Sequence, residues 1–327
     1  MTDYKCNCKI TAVESSYTIV VTDSDILSKI CGSNDSNLRL IEEHLGVPVF
    51  TKGNELSVSD ADAQICSRFK QIIGRITTEV EDGAEAGSEM ISSILRSSDS
   101  AEDANSFYES HIQIPDGFKR IYPKNKSQSE LIRGMNLYDM VFCLGPAGTG
   151  KTFLVVAYAL YLLLSRKKRK IILTRPVVEA GESLGFLPGD LEQKINPYLR
   201  PLYDAMESLI PREVLRKLYD AGMIEVAPLA YMRGRTLDNS VILLDEAQNT
   251  TVEQMKMFLT RMGEGSKVFV TGDVTQIDLP KRIESGLVNA VSVLQPISEI
   301  FILKMQAEDV VRNPLVKKII KAYEKQH

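Results

Sequence analysis

The chain has 327 residues, of which 44% are hydrophobic and 25% charged, as in soluble globular proteins. This composition excludes a disordered chain, a collagen-like repeat and a small disulfide scaffold, and the length predicts about two domains. The formal net charge of −4 is unequally divided, because residues 1–110 carry −10 and residues 111–327 carry +6. The acidic first part would repel phosphate backbones, whereas the basic remainder could attract them.

Cysteine usage and hydropathy indicate where the protein acts. The five cysteines have no recurrent C-x-x-C spacing, which favours a reducing, cytosolic compartment. The longest apolar run, Phe153 to Leu164, has 12 residues, whereas a membrane-spanning helix needs about 20. The first ten residues contain no apolar segment of the kind found in signal peptides. We therefore predict a cytoplasmic protein with no membrane partner.

The first 77 residues are predicted to form a small α/β module. Tyr17–Val21 has the β-branched and aromatic composition of a strand, and two helical stretches follow between residues 25 and 45. Two further strands flank the turn sequence Lys52-Gly53-Asn54, and residues 61–76 have the pattern of an amphipathic helix. This order of elements resembles that of a KH domain.

The loop between the two predicted helices departs from the KH pattern. In that family a GxxG loop at this place clamps the nucleic-acid backbone. The corresponding loop here is Gly32-Ser33-Asn34-Asp35, in which an acidic residue replaces the second glycine. Two interpretations stay open: a docking or oligomerisation module, and a nucleic-acid-binding module, which the loop chemistry and the negative charge oppose.

Composition changes after this module. Residues 78–106 are rich in Ser, Ala, Glu and Asp and contain only one short apolar patch, Met90 to Leu95. We predict that residues 78–114 are a linker with short helices. Residues 115–327 are then the second domain.

The strongest motif of the chain is GPAGTGKT at residues 145–152, which matches G-x-x-x-x-G-K-[ST] in full. An apolar strand pattern at residues 140–144 precedes it, and an apolar helix pattern at residues 153–164 follows it. This context disfavours the alternative of a chance glycine-rich turn. The motif predicts a phosphate-binding loop in which the helix N-terminus faces the anion.

Each residue type of this loop has a physical role. Gly145, Gly148 and Gly150 let the backbone turn tightly and direct its N–H groups toward phosphate oxygens. Lys151 can reach the β- and γ-phosphates, and Thr152 can place its hydroxyl on Mg²⁺. The other predicted nucleotide-binding residues of the loop are Pro146, Ala147 and Thr149.

A second apolar strand, Val241 to Leu244, ends in the acidic pair Asp245 and Glu246. A strand that is apolar at every position is typical of a parallel sheet with both faces covered, and ligands bind at the carboxyl ends of such strands. We expect Asp245 to hold Mg²⁺ and Glu246 to act as the general base for an attacking water. In the alternative, both acids cap the helix that starts near Thr250. A water-activating Glu also favours hydrolysis over transfer to an acceptor.

A third apolar strand begins at Lys267 and ends at Thr271, before Gly272, Asp273 and Gln276. In nucleotide-driven motors such a strand lies beside the acidic strand, and its polar end contacts the γ-phosphate. Asp273 and Gln276 are therefore candidate sensors of hydrolysis. The alternative is an ordinary strand-to-loop turn with a helix cap.

With these three blocks, the chain resembles the PhoH family of P-loop ATPases over residues 115–325. The segments that carry the resemblance are GPAGTGKT (145–152), residues 174–206, MRGRTL (232–237), LLDEAQN (243–249), residues 259–280, SGL (285–287) and DVVRNPLV (309–316). One departure is Asn313, where the family commonly has His. The resemblance implies a RecA-like core, similar to the first motor domain of superfamily 1 helicases.

The resemblance also implies roles and partners. By similarity Gln128 matches an adenine-recognising glutamine, and Gln276 matches the glutamine of helicase motif three. ATP and Mg²⁺ are the implied cofactors. RNA metabolism, the phosphate-starvation response and a partner endoribonuclease are implied in the same way.

Hydrolysis usually gains from an arginine on the γ-phosphate, supplied in cis or by a neighbouring subunit. We favour Arg312 for this catalytic role and expect Arg233 and Arg235 to contact a ring neighbour or RNA, with Arg261 as a further candidate. For each of them a surface ion pair is the alternative. Helix-end cations are favourable, so the basic run at residues 166–170 has two interpretations, helix-end charges and an RNA-binding patch. Arg175 lies where helicases touch the nucleic-acid backbone.

Two uses of the predicted ATPase compete. One is a homo-oligomeric ring, such as a hexamer, that moves on single-stranded RNA. The other is a nucleotide switch that regulates a partner nuclease without unwinding. A small-molecule kinase is a third interpretation, for which the sequence contains no acceptor-site motif.

Overall fold

The computed structural model describes residues 16–59, 61–97, 110–115, 118–176 and 191–311. The chain forms two compact units that divide at Ser110. Tyr122–Lys124 belongs to the first unit, and the residues around it belong to the second. None of the helices in the described ranges is both long and apolar enough to cross a bilayer.

The first unit has the element order that the sequence predicts. Its elements are β1 (Tyr17–Val20), α1 (Ser24–Cys31), α2 (Ser36–Leu45), β2 (Val49–Lys52), β3 (Glu55–Val58), α3 (Ala63–Glu81) and α4 (Ser88–Ser97). The three strands form an antiparallel sheet in the order β1-β3-β2. The loop between α1 and α2 contains Asn34 and Asp35 in the left-handed region, with φ of 51° and 57°.

The segment predicted as a linker contributes to the core of the first unit. Met90, Ile91 and Ile94 of α4 are buried in the same cluster as Ile41 and Phe69. The packed core of the first unit therefore includes α4, beyond the boundary predicted at residue 77. The physical reason is that the apolar side of this short helix is covered by the core of the module, although its surroundings in sequence are polar.

The second unit is an α/β domain built on a six-stranded parallel sheet. After the small pair β4 (Ile112–Gln113) and β5 (Arg120–Ile121), its strands are β6 (Met140–Leu144), β7 (Lys170–Arg175), β8 (Ile224–Pro228), β9 (Ser240–Leu244), β10 (Lys267–Gly272) and β11 (Ile300–Lys304). The strand order is β11-β6-β10-β9-β7-β8, and all neighbours are parallel. The predicted α/β fold class, with a P-loop core, is confirmed.

Helices cover both faces of this sheet. They are α5 (Lys126–Leu137), α6 (Lys151–Leu164), α7 (Leu191–Leu209), α8 (Arg212–Asp220), α9 (Val252–Leu259) and α10 (Gly286–Leu294). Alternate residues of one strand enter different cores: Val141 and Cys143 pack in one cluster, and Phe142 and Leu144 in the other. Burial on both faces explains why the central strands are apolar at every position.

The parallel arrangement determines where the site is. β10 pairs with β6 on one side and with β9 on the other, so the strand before the phosphate loop and the strand before the acidic pair are separated by a single strand. Since all these strands are parallel, their carboxyl ends lie at one edge of the sheet.

Candidate nucleotide-binding site

The loop between β6 and α6 has the conformation that its glycines allow. Gly145, Gly148 and Gly150 have φ values of 151°, 87° and 86°. A Cβ atom at Gly145 would lie 2.8 Å from the Cβ atom of Met305, so this position excludes any larger residue. Backbone hydrogen bonds hold the loop, from Gly145 N to Gly272 O at 3.1 Å and from Val311 N to Gly148 O at 2.9 Å. The helix begins at Lys151, so its first N–H groups face the loop.

The amine of Lys151 lies inside this loop. Its Nζ donates hydrogen bonds to the carbonyls of Gly145 at 2.6 Å and Pro146 at 2.8 Å, and contacts Thr149 Oγ1 at 3.3 Å. Burial lowers the pKa of this amine, whereas nearby anionic groups, Asp273 and Asp245 among them, raise it. The amine of Lys151 therefore lies at the point where the loop is predicted to bind phosphate.

Asp245 is the centre of the site. Its carboxylate is 3% exposed, and Oδ1 accepts hydrogen bonds from Thr152 Oγ1 at 2.7 Å and Thr271 Oγ1 at 2.6 Å. Its backbone N–H donates to Thr174 O at 2.9 Å. The structure thus brings the end of β9 against the first turn of α6, as the sequence predicts for a shared metal site.

Arg175 also contacts this carboxylate, a relationship that the sequence did not reveal. Arg175 Nε donates to Asp245 Oδ2 at 2.9 Å, and Nη2 donates to the same oxygen. Nη2 also lies 3.9 Å from Glu246 Oε1. Arg175 and Thr271 were both missed as contacts of Asp245. The available signal was their position, because each is at or next to the carboxyl end of a strand that neighbours β9.

Glu246 follows in the left-handed conformation, with φ of 54° and ψ of 37°. Its side chain is 46% exposed, and Oε2 accepts a hydrogen bond from Gln248 Nε2 at 2.7 Å. Neither acid caps the next helix, because α9 is capped by Thr251 in a capping box with Gln254. The helix-cap alternative for the acidic pair is therefore wrong.

Asp273 connects the loop after β10 to the phosphate loop. Its Oδ2 accepts hydrogen bonds from the backbone N–H of Ala147 at 3.2 Å and from Gln276 Nε2 at 3.0 Å. Its Oδ1 accepts from the Thr275 hydroxyl at 2.6 Å, and its backbone N–H donates to Gln248 Oε1 at 3.0 Å. The chain Ala147, Asp273, Gln248 and Glu246 therefore links the phosphate loop to the acidic pair.

Gln128 lies in α5 behind the phosphate loop. Its side chain is buried, and Nε2 donates to Thr149 O at 2.9 Å. The helix is capped one turn earlier by Asn125, whose Oδ1 accepts from Gln128 N at 2.9 Å. The amide therefore contacts the loop backbone, and its predicted role with adenine stays a prediction.

The candidate arginines fall into different environments. Arg235 forms a double hydrogen bond to Glu225, at 2.5 and 2.9 Å, and this pairing lowers the pKa of Glu225 to about 2. Arg261 donates to Met257 O at 3.0 Å and to Arg235 O at 2.8 Å. Arg235 and Arg261 therefore stabilise the loop between β8 and β9, whereas the side chain of Arg233 is exposed. Arg312 lies outside the described residues.

The basic run at residues 166–170 is partly structural. Lys168 Nζ donates to the carbonyl of Gly265, and Lys170 Nζ pairs with Glu225 at 2.7 Å. Lys167 Nζ lies 4.7 Å from the centroid of the Tyr161 ring. These contacts support helix-end and strand-start roles for three of the five cations.

The donor set at Asp245 suits Mg²⁺. A buried carboxylate next to the Thr152 hydroxyl offers hard oxygen ligands, and magnesium is usually held by one or two carboxylates plus water and phosphate oxygens. Across the described ranges, no group of three or more His, Cys, Asp or Glu side chains forms a separate metal cluster. The Asp245 carboxylate and the Thr152 hydroxyl therefore fit a magnesium ion that would take its remaining ligands from water and phosphate oxygens.

Residues 120–324 match the family described as PhoH, PhoH-like protein. The chain belongs to the PhoH family. It is 48% identical over 300 residues to the PhoH-like protein of Bacillus subtilis (strain 168), covering 90% of this chain and 93% of that protein. It is 42% identical over 205 residues to Protein PhoH of Escherichia coli (strain K12), covering 62% of this chain and 58% of that protein.

The similarity to the Escherichia coli protein is confined to about the length of the family domain. Among solved structures, the chain is similar to the Pif1 helicase from Candida albicans at a TM-score of 0.33 and 15% identity, with coverage of 60% of this chain and 42% of that one. A similarity of this size carries no functional argument.

Proposed function

We propose that this PhoH family member is a Mg²⁺-dependent ATPase of the cytoplasm. The observation that carries the proposal is the 2.7 Å hydrogen bond between Thr152 and Asp245, with Glu246 next in the chain. Free thiols at Cys31, Cys66 and Cys143 fit a reducing compartment.

The residues would act as follows. Lys151 transfers its hydrogen bonds from the loop carbonyls to the β- and γ-phosphates, while the loop N–H groups bind the remaining phosphate oxygens. Asp245 and Thr152 would hold Mg²⁺, which when bound supplies positive charge to the phosphate oxygens. Glu246, half-exposed at the same edge of the sheet, accepts a proton from water as the water oxygen bonds to the γ-phosphorus. ADP leaves with the electron pair of the broken P–O bond.

The hydrogen-bond chain from Ala147 through Asp273 to Gln248 supports a sensor role for Asp273 and Gln276. A change in the loop on phosphate binding would shift Asp273 and, through it, Gln248, which donates a hydrogen bond to Glu246. Arg312 stays our candidate for an arginine on the γ-phosphate. Support comes from its chain neighbour Val311, whose N–H donates to Gly148 O.

We further propose that RNA stimulates hydrolysis in a homo-oligomeric ring, with Arg233 as the exposed loop arginine available to RNA or a neighbouring subunit. The basic balance of residues 111–327 supports attraction of nucleic acid. A role in RNA metabolism or phosphate starvation follows from the family alone.

A nucleotide switch that controls a partner endoribonuclease is the second candidate. The observation that favours it is the hydrogen bond from Val311 to the phosphate loop, which attaches a segment beyond the sheet to the nucleotide site. Such a contact could transmit the nucleotide state without any motor action.

The test is phosphate release by the purified full chain from MgATP, with and without single-stranded RNA. We expect release that Lys151→Ala abolishes and that Lys281→Ala, an exposed lysine on another loop, leaves unchanged. Strong stimulation by RNA, with a native mass of a ring, supports the motor, and indifference to RNA supports the switch. Equal release by the parent and Lys151→Ala would remove the loop from the mechanism, and a phosphorylated acceptor in place of free phosphate would identify a kinase.

A further inference from the structure

Arg175 and two hydroxyl groups divide the two carboxylate oxygens of Asp245 between them. Asp245 Oδ1 already accepts hydrogen bonds from two hydroxyls, those of Thr152 and Thr271. The other oxygen, Oδ2, accepts from Nε and Nη2 of Arg175. The guanidinium is itself largely buried, with 12% of the side chain exposed. Both oxygens of the carboxylate are therefore engaged in this state.

The pairing has a clear electrostatic reason. A buried carboxylate without a cation carries a large desolvation penalty, and removing one partner of such a pair is strongly destabilising. Arg175 supplies the positive charge that Asp245 needs when no metal is bound. A planar guanidinium suits this task, because it directs two N–H groups toward one carboxylate.

Arg175 and Mg²⁺ would be competitors for the same charge. A divalent ion on Oδ2 would face a guanidinium at hydrogen-bond distance, and two cations this close repel each other. Binding of a metal at Oδ2 would therefore require Arg175 to leave that oxygen. Glu246 is one alternative anion, since its Oε1 is 3.9 Å from Arg175 Nη2, and the phosphates of a bound nucleotide would provide others.

We propose that Arg175 is a built-in counter-cation that excludes divalent metal from Asp245 until nucleotide binds. The metal then enters only together with phosphates, which supply ligands for the ion and a new partner for the guanidinium. Arg175 is thus a positioning residue that couples metal binding to nucleotide binding. This inference rests on the proposed function, because it takes Asp245 as the metal ligand.

The first experiment measures binding of Mn²⁺, a spectroscopic substitute for Mg²⁺, to the nucleotide-free full chain by electron paramagnetic resonance. We expect weak binding by the parent and binding at least about tenfold tighter by Arg175→Ala, since a charged hydrogen-bonded competitor is removed. Asp245→Asn added to Arg175→Ala should abolish the gain. Arg212→Ala removes an arginine from an ion pair with Glu207 elsewhere and should bind Mn²⁺ like the parent.

A second variant keeps the proposal testable if Arg175→Ala does not fold. Arg175→Gln removes the charge but keeps an N–H donor for Asp245, and it should show the same direction of change. Arg175→Lys keeps the charge and should bind Mn²⁺ as weakly as the parent, within a few-fold. Equal Mn²⁺ affinity in the parent and in a folded Arg175→Gln protein would overturn the proposal.

A binding measurement with a fluorescent ADP analogue separates this inference from the proposed function. The ratio of the nucleotide dissociation constants in EDTA and in Mg²⁺ should be smaller for Arg175→Gln than for the parent, by about tenfold, because the variant already binds metal before nucleotide arrives. If the parent binds no nucleotide in either condition, the proposed function fails. If the parent binds nucleotide and the ratio is the same in both proteins, only the counter-cation role fails.

Discussion

The hydroxyl of Thr152 donates a hydrogen bond of 2.7 Å to Oδ1 of Asp245, although 93 residues separate the two in the chain. Thr152 is in the first turn of α6, and Asp245 follows β9. Only β10 lies between β6 and β9 in the sheet, so the two chain segments reach the same edge. This contact joins the phosphate loop to the acidic pair.

Replacing Thr152 by Ala should weaken nucleotide binding in the presence of Mg²⁺ without changing nucleotide binding in its absence. The variant loses the hydroxyl that lies on Asp245, so nucleotide affinity in Mg²⁺ should fall by about tenfold or more, while affinity in EDTA stays near that of the parent. Titration with a fluorescent nucleotide measures both. Thr152→Ser restores the hydroxyl and should restore the Mg²⁺ effect; an equal loss of affinity in EDTA would argue against a metal role.

Glu246→Gln should bind nucleotide but hydrolyse it slowly. The amide keeps the shape of the side chain and cannot accept the proton of water, so turnover should fall by about 10²–10⁴-fold. Single-turnover phosphate release and equilibrium binding are the two measurements. Glu253→Gln, an exposed acid in the first turn of α9, is the matched control. Loss of binding by the same factor as turnover would contradict the general-base role.

Asp273→Asn should loosen the phosphate loop. Its carboxylate accepts from Ala147 N and from Gln276 Nε2 through one oxygen and from Thr275 through the other, and an amide has only one acceptor oxygen. Hydrogen exchange of residues 145–150 should become faster, and nucleotide affinity should fall by about tenfold. Asp278→Asn, in the same loop, serves as control. Unchanged hydrogen exchange in Asp273→Asn would mean that the hydrogen bonds of Asp273 do not hold the phosphate loop.

Gly272→Ala should destabilise the second unit. The added Cβ atom would lie 2.5 Å from Leu287 Cδ2 and 2.8 Å from Gln248 Oε1, and overpacking of this kind typically costs about 1–3 kcal/mol. Gly74→Ala, within α3, meets no atom within 4 Å and should instead stabilise its helix by about 0.5–1 kcal/mol. Denaturant unfolding of both variants is the measurement. A neutral Gly272→Ala would show that Gln248 and Leu287 can move without loss.

Glu225→Gln should change how stability depends on pH. The pKa of Glu225 is lowered from the usual 4.5 to about 2 by the Arg235 hydrogen bonds, so its stabilising contribution is complete above pH 4.5 and is lost as pH falls toward 2. In the variant, stability near neutral pH should be lower by about 1 kcal/mol, and the decline below pH 4.5 should be shallower. Denaturation across pH measures this.

Asp204→Asn provides the control for that experiment. Asp204 pairs with Arg200 at 2.8 Å in an exposed position on α7, and exposed pairs contribute little to stability. Its pH profile should match that of the parent. A parallel profile for Glu225→Gln and the parent would contradict the proposed effect of Arg235.

Much of the second unit could be predicted from local sequence. An apolar strand, a glycine-rich loop and an apolar helix occur consecutively at residues 140–164, and the strands before Asp245 and Asp273 are apolar throughout because both sheet faces are covered. The convergence of Lys151, Thr152 and Asp245 follows from the rule that parallel strands end at one edge. The element order of the first unit was also predictable from turn residues and periodicity.

Other features depend on which strands become neighbours. Arg175 and Thr271 contact Asp245 because β7 and β10 are the strands on either side of β9, and no local pattern states that order. For the same reason the sequence did not separate Arg235, which is paired with Glu225, from the exposed Arg233. The burial of α4 in the first core was missed because its helix is short and its surroundings are polar.

The sequence by itself determined the loop that can hold phosphate, the two acids behind a buried strand and the alternation of strands and helices, since each is encoded within a few consecutive residues. The tertiary structure alone decided which hydroxyls and which guanidinium meet Asp245. Those partners come from separate strands, and only the packing of the sheet brings their charges within hydrogen-bond distance.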